Sequence, residues 1–451
     1  MNVDYAGTWG TRTTFLLALS ASTLGMGNIW RFSYLSGEYG GGAFVVTYVA
    51  CLLLIAVPVM VAEIVLGKYG GPSPVGAIRR SCDGSLRSRA WQGVGALACL
   101  SGLLVLSLYI IVAGWGMAYI GFVRTGVFSA ARAVDVGTHF DRFLSDPMPQ
   151  VYWQSLFLAL AAGTVVLGVR RGLGMLVWLT VPLLVGLLAF LIKFGFDNGD
   201  IGAAGNFLFS TRVVDFNGKS VLLALGQAFF TLSIGVGTGI SYGAYAPQRI
   251  PIARSVLAVA VFDTIFAVLT GLAIFPIVFA SNVESTSGPG LLFISLPYAF
   301  GNLMQGELAG TAFFVLMVVA ALGSAVAIME PIVATLIRQL RLARFTATLL
   351  VTAAVWLLSI AVVLSLGKQI HWMGQRSLLD ILDTATAGVL LPLVALLIAI
   401  LVGWRLRPEI LRLELARESD LFFSLWCLLL RYIAPPAIAL LLLAQFFSPR
   451  L

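Results

Sequence analysis

About eleven stretches of this 451-residue chain are apolar over the length of a bilayer, and two of them are interrupted midway. A helix needs about 20 apolar residues to cross the hydrocarbon core. The spans are read at 13–36, 41–67, 91–122, 151–169, 173–196, 220–245, 252–279, 309–340, 345–366, 378–404 and 421–447. Only 11% of residues are charged, against about 25% in a soluble domain. So many apolar stretches exceed a signal peptide plus one anchor, and the chain reads as an all-α polytopic membrane protein.

The net charge of +8 has a membrane explanation rather than a nucleic-acid one, because cytoplasmic loops are enriched in Lys and Arg. Lys68, Arg79, Arg80, Arg87 and Arg89 follow the second span, and Arg170 and Arg171 join the fourth to the fifth. Arg249 and Arg254 follow the sixth, Arg338, Arg341 and Arg344 the eighth, and Arg405, Arg407, Arg412 and Arg417 the tenth. All fall on one side if the amino terminus is cytoplasmic. The four cysteines form neither a disulfide framework nor a zinc pattern.

The first span carries Ala21-Ser22-Thr23-Leu24-Gly25-Met26-Gly27-Asn28-Ile29-Trp30-Arg31 at its centre. Glycine weakens a helix, and unsatisfied backbone in lipid costs several kcal/mol per group. A break there is tolerated only against protein or a cavity. The sixth span repeats the theme at Thr231-Leu232-Ser233-Ile234-Gly235-Val236-Gly237. Gly-interrupted spans at corresponding places point to inverted repeats with a solute site near the midplane. The repeats are expected at about 13–196 and 220–404 of one transporter domain, 1–451, with an extra helix at 421–447. Half-helix amino ends suit a carboxylate, and unwound carbonyls suit a cation. Asp263 lies inside the seventh span, where a carboxylate costs about 2.5–3.5 kcal/mol and marks function by default. Glu63 and Glu330 could simply bond backbone freed by a broken helix, and Arg431 receives no role. His139 and His371 fall in outer loops, which argues against a buried histidine site. The apolar stretch from Gly288 to Gly301 is either a lid over an outer vestibule or an interfacial loop anchored by aromatics.

Gly27-Asn28-Ile29-Trp30-Arg31-Phe32, Gly40-Gly41-Gly42-Ala43-Phe44, Phe230-Thr231-Leu232-Ser233, Gly288-Pro289-Gly290-Leu291 and Leu378-Leu379-Asp380-Ile381-Leu382-Asp383 together resemble the neurotransmitter:sodium symporter family, bacterial amino-acid branch. The resemblance covers nearly the whole chain. It implies a LeuT-type fold, a 5+5 inverted repeat plus one helix. It also implies symport of an amino acid with sodium by alternating access.

By that resemblance a first sodium site takes the Thr23 carbonyl, Asn28, Thr231 and Asp263. A second takes carbonyls of Ala21, Leu24 and Ala320 with Ser324, where relatives have Thr or Asp at Gly323. One or two sodium ions, or a proton on Asp263 instead, remain open. The fixed carboxylate of Asp263 beside Tyr48 and Gln227 implies chloride independence. Substrate would meet Ser22, Thr23, Gly25, Met26, Gly27, Val105, Tyr109, Phe230, Thr231, Ser233, Val236, Ser324 and Ile328. Gly25 stands where monoamine carriers have Asp, which favours an α-amino acid, and Val105, Val236 and Ile328 favour an apolar side chain. Arg31 and Asp383 resemble an outer gate closed above Tyr109 and Phe230. Trp9, Tyr245 and Arg338 resemble inner-gate positions, though Ala6 and Arg338 depart from the family pattern, and Asp4 could pair with Arg338. An enzyme is not expected, since no nucleophile–base or metal constellation appears. A non-transporting sensor of the same fold is the other class. The lipid bilayer is the expected surrounding, nucleic acid is not an expected partner, and oligomeric state is not readable.

Overall fold

The computed structural model describes residues 7–82, 86–212, 214–248, 250–281, 290–367 and 377–447. Asp4, Ala6, Arg249, Gly288, Pro289 and His371 lie outside the described residues.

The described residues form helices joined by short connections. The first span is two pieces, α1 (Arg12–Thr23) and α2 (27–38). Then come α3 (Gly42–Gly70), α4 (Pro74–Ser81), α5 (Leu86–Arg124), α6 (Ala133–Ser145) and α7 (Pro147–Val166). They are followed by α8 (Val169–Asn198), α9 (Ile201–Phe209) and a second broken pair, α10 (Gly218–Thr231) and α11 (Thr238–Tyr245). The chain continues through α12 (Ile252–Ala280), α13 (Leu291–Gly301), α14 (Gly306–Leu340) and α15 (Arg344–Gly367). It ends with α16 (Leu378–Arg405), α17 (Pro408–Glu414) and α18 (420–447). Among the described residues, eight helices are long and apolar enough to cross a membrane. The 20 residues of α7 extend about 30 Å at the helical rise, and each broken pair covers a further span.

Local chemistry sets the helix ends. Thr11 caps α1 by accepting from Thr14 N at 3.2 Å, and Asn217 and Ser377 cap α10 and α16 in the same way. A distant side chain caps α12: Glu418 Oε1 accepts from Ala253 N at 3.0 Å, and its Oε2 holds the Arg254 guanidinium at 3.2 Å.

The interior is built by α1, α3, α5, α10, α11, α12 and α14, while α8 and α15 turn apolar side chains outward, as lipid-facing helices do. The described part of the stretch read as a lid or an interfacial loop is a buried helix whose first turn, at Gly290 and Ile294, lines an open vestibule, in keeping with the lid reading. Leu291, Leu292, Phe293, Leu296 and Phe300 of α13 are buried, and Phe293 packs edge-on to Trp115 and Tyr119 and stacks on Phe140. Helix α13 is therefore a wedge sunk into the bundle between α5, α6 and α14. Arg431, in α18, donates to Gly403 O at 2.6 Å and ties α18 to α16.

Candidate functional site

Both interruptions are real breaks, and they face each other. In the first, Gly25 N reaches back to Thr23 O at 2.7 Å in a tight turn, and helical bonding resumes when Asn28 N meets Gly25 O at 3.2 Å. A Cβ on Gly25 would lie 2.8 Å from Ser324 Oγ and 2.9 Å from the Tyr109 hydroxyl, so a side chain there would fill the hollow. In the second, Ser233, Gly235 and Gly237 all have left-handed φ, +53°, +89° and +79°. Gly235 has no room for a side chain either, since a Cβ would sit 2.6 Å from Leu391 O. Ser233 adopts φ > 0 without being glycine, and its hydroxyl is held by Ser22 O at 3.0 Å across the two breaks.

Asp263 is fully buried where α12 passes the breaks. Asn28 Nδ2 donates to Asp263 Oδ1 at 2.6 Å and lies 3.5 Å from Thr23 O. The Thr231 hydroxyl lies 2.6 Å from Asn28 Oδ1 and 2.8 Å from Asp263 Oδ2, one proton facing two acceptors. Thr23, Asn28, Thr231 and Asp263 are thus gathered into an oxygen-rich cluster with more acceptors than donors, the donor set a hard cation takes. Gln227 Nε2 donates to Gly27 O at 3.4 Å nearby, and Tyr48 is buried with its ring 4.9 Å from that of Phe32. At the second-site positions, Ala21, Leu24, Ala320, Gly323 and Ser324 are all buried. A Cβ on Gly323 would stand 2.6 Å from Ala21 O, so the bare glycine lets α1 and α14 approach closely. The Ser324 hydroxyl donates to Ser22 O at 3.2 Å.

All the residues read as substrate contacts except Met26 line one small cavity of about 30 Å³. Leu391 lines it as well; an ordinary leucine in an apolar run gave no sequence signal. Met26 instead donates its N–H to the Tyr109 hydroxyl at 3.3 Å and faces a vestibule of about 570 Å³. Tyr109 and Phe230 line both spaces and stand between them. At the vestibule mouth the expected gate is unlatched: no Arg31–Asp383 ion pair forms within 4.0 Å, and the Arg31 guanidinium lies 5.1 Å over the Phe230 ring. On α6, His139 packs edge-on against Phe122 and Phe128. Burial, then the charge of Arg142, push its imidazole below its ordinary value.

The opposite mouth is shut. Trp9 is buried, donates its main-chain N–H to Tyr245 O at 3.0 Å, and packs its ring edge-on to Tyr242 at 4.9 Å. Glu330 does not bond freed backbone, as one reading of the sequence had it. Its buried carboxylate pairs with the Arg344 guanidinium and accepts the Tyr245 hydroxyl at 2.7 Å. Arg344 was missed because it stands in a run of loop arginines, where charge is usually solvated. Arg338 donates to Gly70 O at 2.9 Å and so clamps α14 to the end of α3. Glu63 does what the alternative reading allowed: its Oε1 accepts from Gly235 N at 2.9 Å.

An all-helical membrane protein with two facing helix breaks around a solute hollow is a secondary transporter of the LeuT fold class. The chain belongs to the sodium:neurotransmitter symporter family, whose model matches residues 6–130 and 146–449. It is similar to MhsT, solved in complex with L-phenylalanine, at 34% identity and a TM-score of 0.89, over 98% of this chain and 100% of that one. It is 32% identical over 440 residues, 96% of each chain, to the uncharacterized sodium-dependent transporter YhdH of Bacillus subtilis. An uncharacterized sodium-dependent transporter of Haemophilus influenzae is 28% identical over 98% of each chain. The protein is a multi-pass, sodium-coupled membrane transporter.

Proposed function

We propose that the protein imports an α-amino acid with an apolar side chain together with sodium, without chloride, by alternating access. The observation that carries this reading is the cluster of Asp263, Asn28, Thr231 and the Thr23 carbonyl against the two breaks. Sodium is the cargo of that cluster, and Asp263 supplies the fixed negative charge that an added anion would otherwise bring. The substrate carboxylate approaches the sodium and the Tyr109 hydroxyl, and its amine meets the carbonyls of the breaks. Val105, Val236, Ile328 and Leu391 meet the side chain. The similarity to a protein solved with L-phenylalanine supports this class of substrate. The two broken halves act as inverted repeats within one domain, in a bacterial inner membrane with the amino terminus inside. The vestibule then opens outward, and the Trp9 mouth faces the cytoplasm. Each ligand favours the closed state by binding it better, and each raises the other's affinity through shared contacts.

A variant of this reading has one sodium per cycle. It is favoured by Gly323, which offers no side-chain oxygen and lies flush against the Ala21 carbonyl.

The deciding experiment is uptake of radiolabelled L-phenylalanine into proteoliposomes under imposed sodium or proton gradients, one at a time. Sodium-driven accumulation that persists when gluconate replaces chloride is the expected result. Accumulation driven only by a proton gradient would overturn the sodium assignment. Binding without counterflow would make the protein a sensor.

A further inference from the structure

The last helix, α18, reaches the vestibule gate. Beside the vestibule lies a separate side pocket of about 70 Å³, well above the roughly 10–15 Å³ that one water needs. Arg31 of α2, Asp383 of α16 and Gln445 of α18 all line it. The Gln445 amide rests on α16 at Gly388: a Cβ there would lie 3.2 Å from Gln445 Cδ and 3.3 Å from Oε1. Gly388 follows Asp383 by five residues through a π-helical stretch, Thr384–Leu390, in which i→i+5 makes about one turn, and both line the pocket.

An amide side chain accepts and donates at separate atoms without carrying charge. Its oxygen complements a guanidinium and its NH₂ complements a carboxylate. Arg31 and Asp383 are one such cation and one such anion, and in this structure they are apart.

We propose that Gln445 is a positioning residue of the gate: its amide bridges Arg31 and Asp383 as the vestibule closes, so that α18 takes part in closing. This rests on the reading of Arg31 and Asp383 as a gate. The arrangement gives the extra helix, which contributes nothing to the lining of the central hollow, a place in the transport cycle. It also accounts for the bare backbone at Gly388, which leaves room for the amide.

The test uses the full-length chain in proteoliposomes with L-phenylalanine, comparing Gln445→Ala, Gln445→Glu, Gly388→Ala and Arg31→Ala. Closure is read separately, as protection of a vestibule cysteine, Leu379→Cys, from a membrane-impermeant maleimide when sodium and L-phenylalanine are added. Losing a bridge whose hydrogen bonds go to charged groups predicts a turnover about ten- to a hundredfold lower for Gln445→Ala, with KM nearly unchanged. Protection of the cysteine is lost in parallel. Gln445→Glu sets a second carboxylate against Arg31 and repels Asp383, so it should impair closure at least as much. Gly388→Ala displaces the amide and gives a milder form of the Gln445→Ala defect. Wild-type turnover and protection in both Gln445 variants, with Arg31→Ala defective, would leave the gate standing and overturn the role of Gln445. Unchanged closure in Arg31→Ala would instead bring down the gate reading itself. A Gln445→Ala chain that fails to fold leaves Gly388→Ala and Gln445→Glu to decide, and full protection in both counts against the proposal.

Discussion

Each broken helix has a fully buried carboxylate beside it, Asp263 at the first and Glu63 at the second, and the two have different kinds of partner. Glu63 faces a backbone N–H, that of Gly235, which the break has stripped of its helical partner. It is a cap reached from another helix, and its negative charge is met by backbone donors. Asp263 accepts from side chains, the Asn28 amide N–H and the Thr231 hydroxyl, while the Asn28 and Thr23 carbonyl oxygens crowd the same cluster. Its negative charge lacks matching positive charge until a cation arrives. One carboxylate completes the protein, and the other is completed by cargo. Both are buried acids; what distinguishes them is the partner, main-chain N–H at Glu63 and side chains crowded by further carbonyl oxygens at Asp263.

Changes at the two positions should therefore differ in kind. Asp263→Asn removes the charge a cation needs, and charged hydrogen-bonded partners contribute about 1.5–3 kcal/mol, so sodium-driven uptake in chloride-free medium should fall by about 100-fold. Adding chloride should restore part of it; an unchanged sodium dependence in this variant would break the comparison. Next in size is Glu63→Ala, which strands the Gly235 N–H and should lower stability by about 1–3 kcal/mol, read as an earlier thermal unfolding transition in detergent. Its sodium affinity should stay near that of the unsubstituted protein. Glu63→Gln keeps an acceptor oxygen for Gly235 and only exchanges a charged acceptor for a neutral one, so uptake should change by less than about tenfold. If Glu63→Gln instead abolished sodium dependence, Glu63 would belong with the ion and not with the backbone. The smallest expected effect is none: replacing chloride around the unsubstituted protein should leave initial uptake rates unchanged.

Sequence reading reached Asp263 more easily than its counterparts because a lone carboxylate inside an apolar run has few harmless explanations. The breaks were equally open to reading, since Gly25 and Gly235 sit mid-span among hydroxyls and amides. Glu330 posed a harder question. An acid in a span needs a partner, but Arg338, Arg341 and Arg344 all follow within a few turns, and spacing alone does not choose among them. The left-handed residue Arg341 reverses the chain between α14 and α15 and brings Arg344 back to Glu330. Leu391 and Gln445 were invisible for a different reason. Their roles come from main-chain proximity to Gly235 and Gly388, and close approach between distant helices leaves no local pattern. The apolar 290–301 stretch was ambiguous because composition reports that a segment avoids water, not whether protein or lipid shields it.

Glu418 caps the start of α12 from 165 positions further along the chain. During synthesis, the helix that carries Asp263 therefore emerges long before the residue that finishes its first turn. A ribosome that stops ahead of residue 418 releases a chain whose ion-holding helix is frayed at its amino end. The cap of that helix is thus supplied only when the final tenth of the polypeptide has been made.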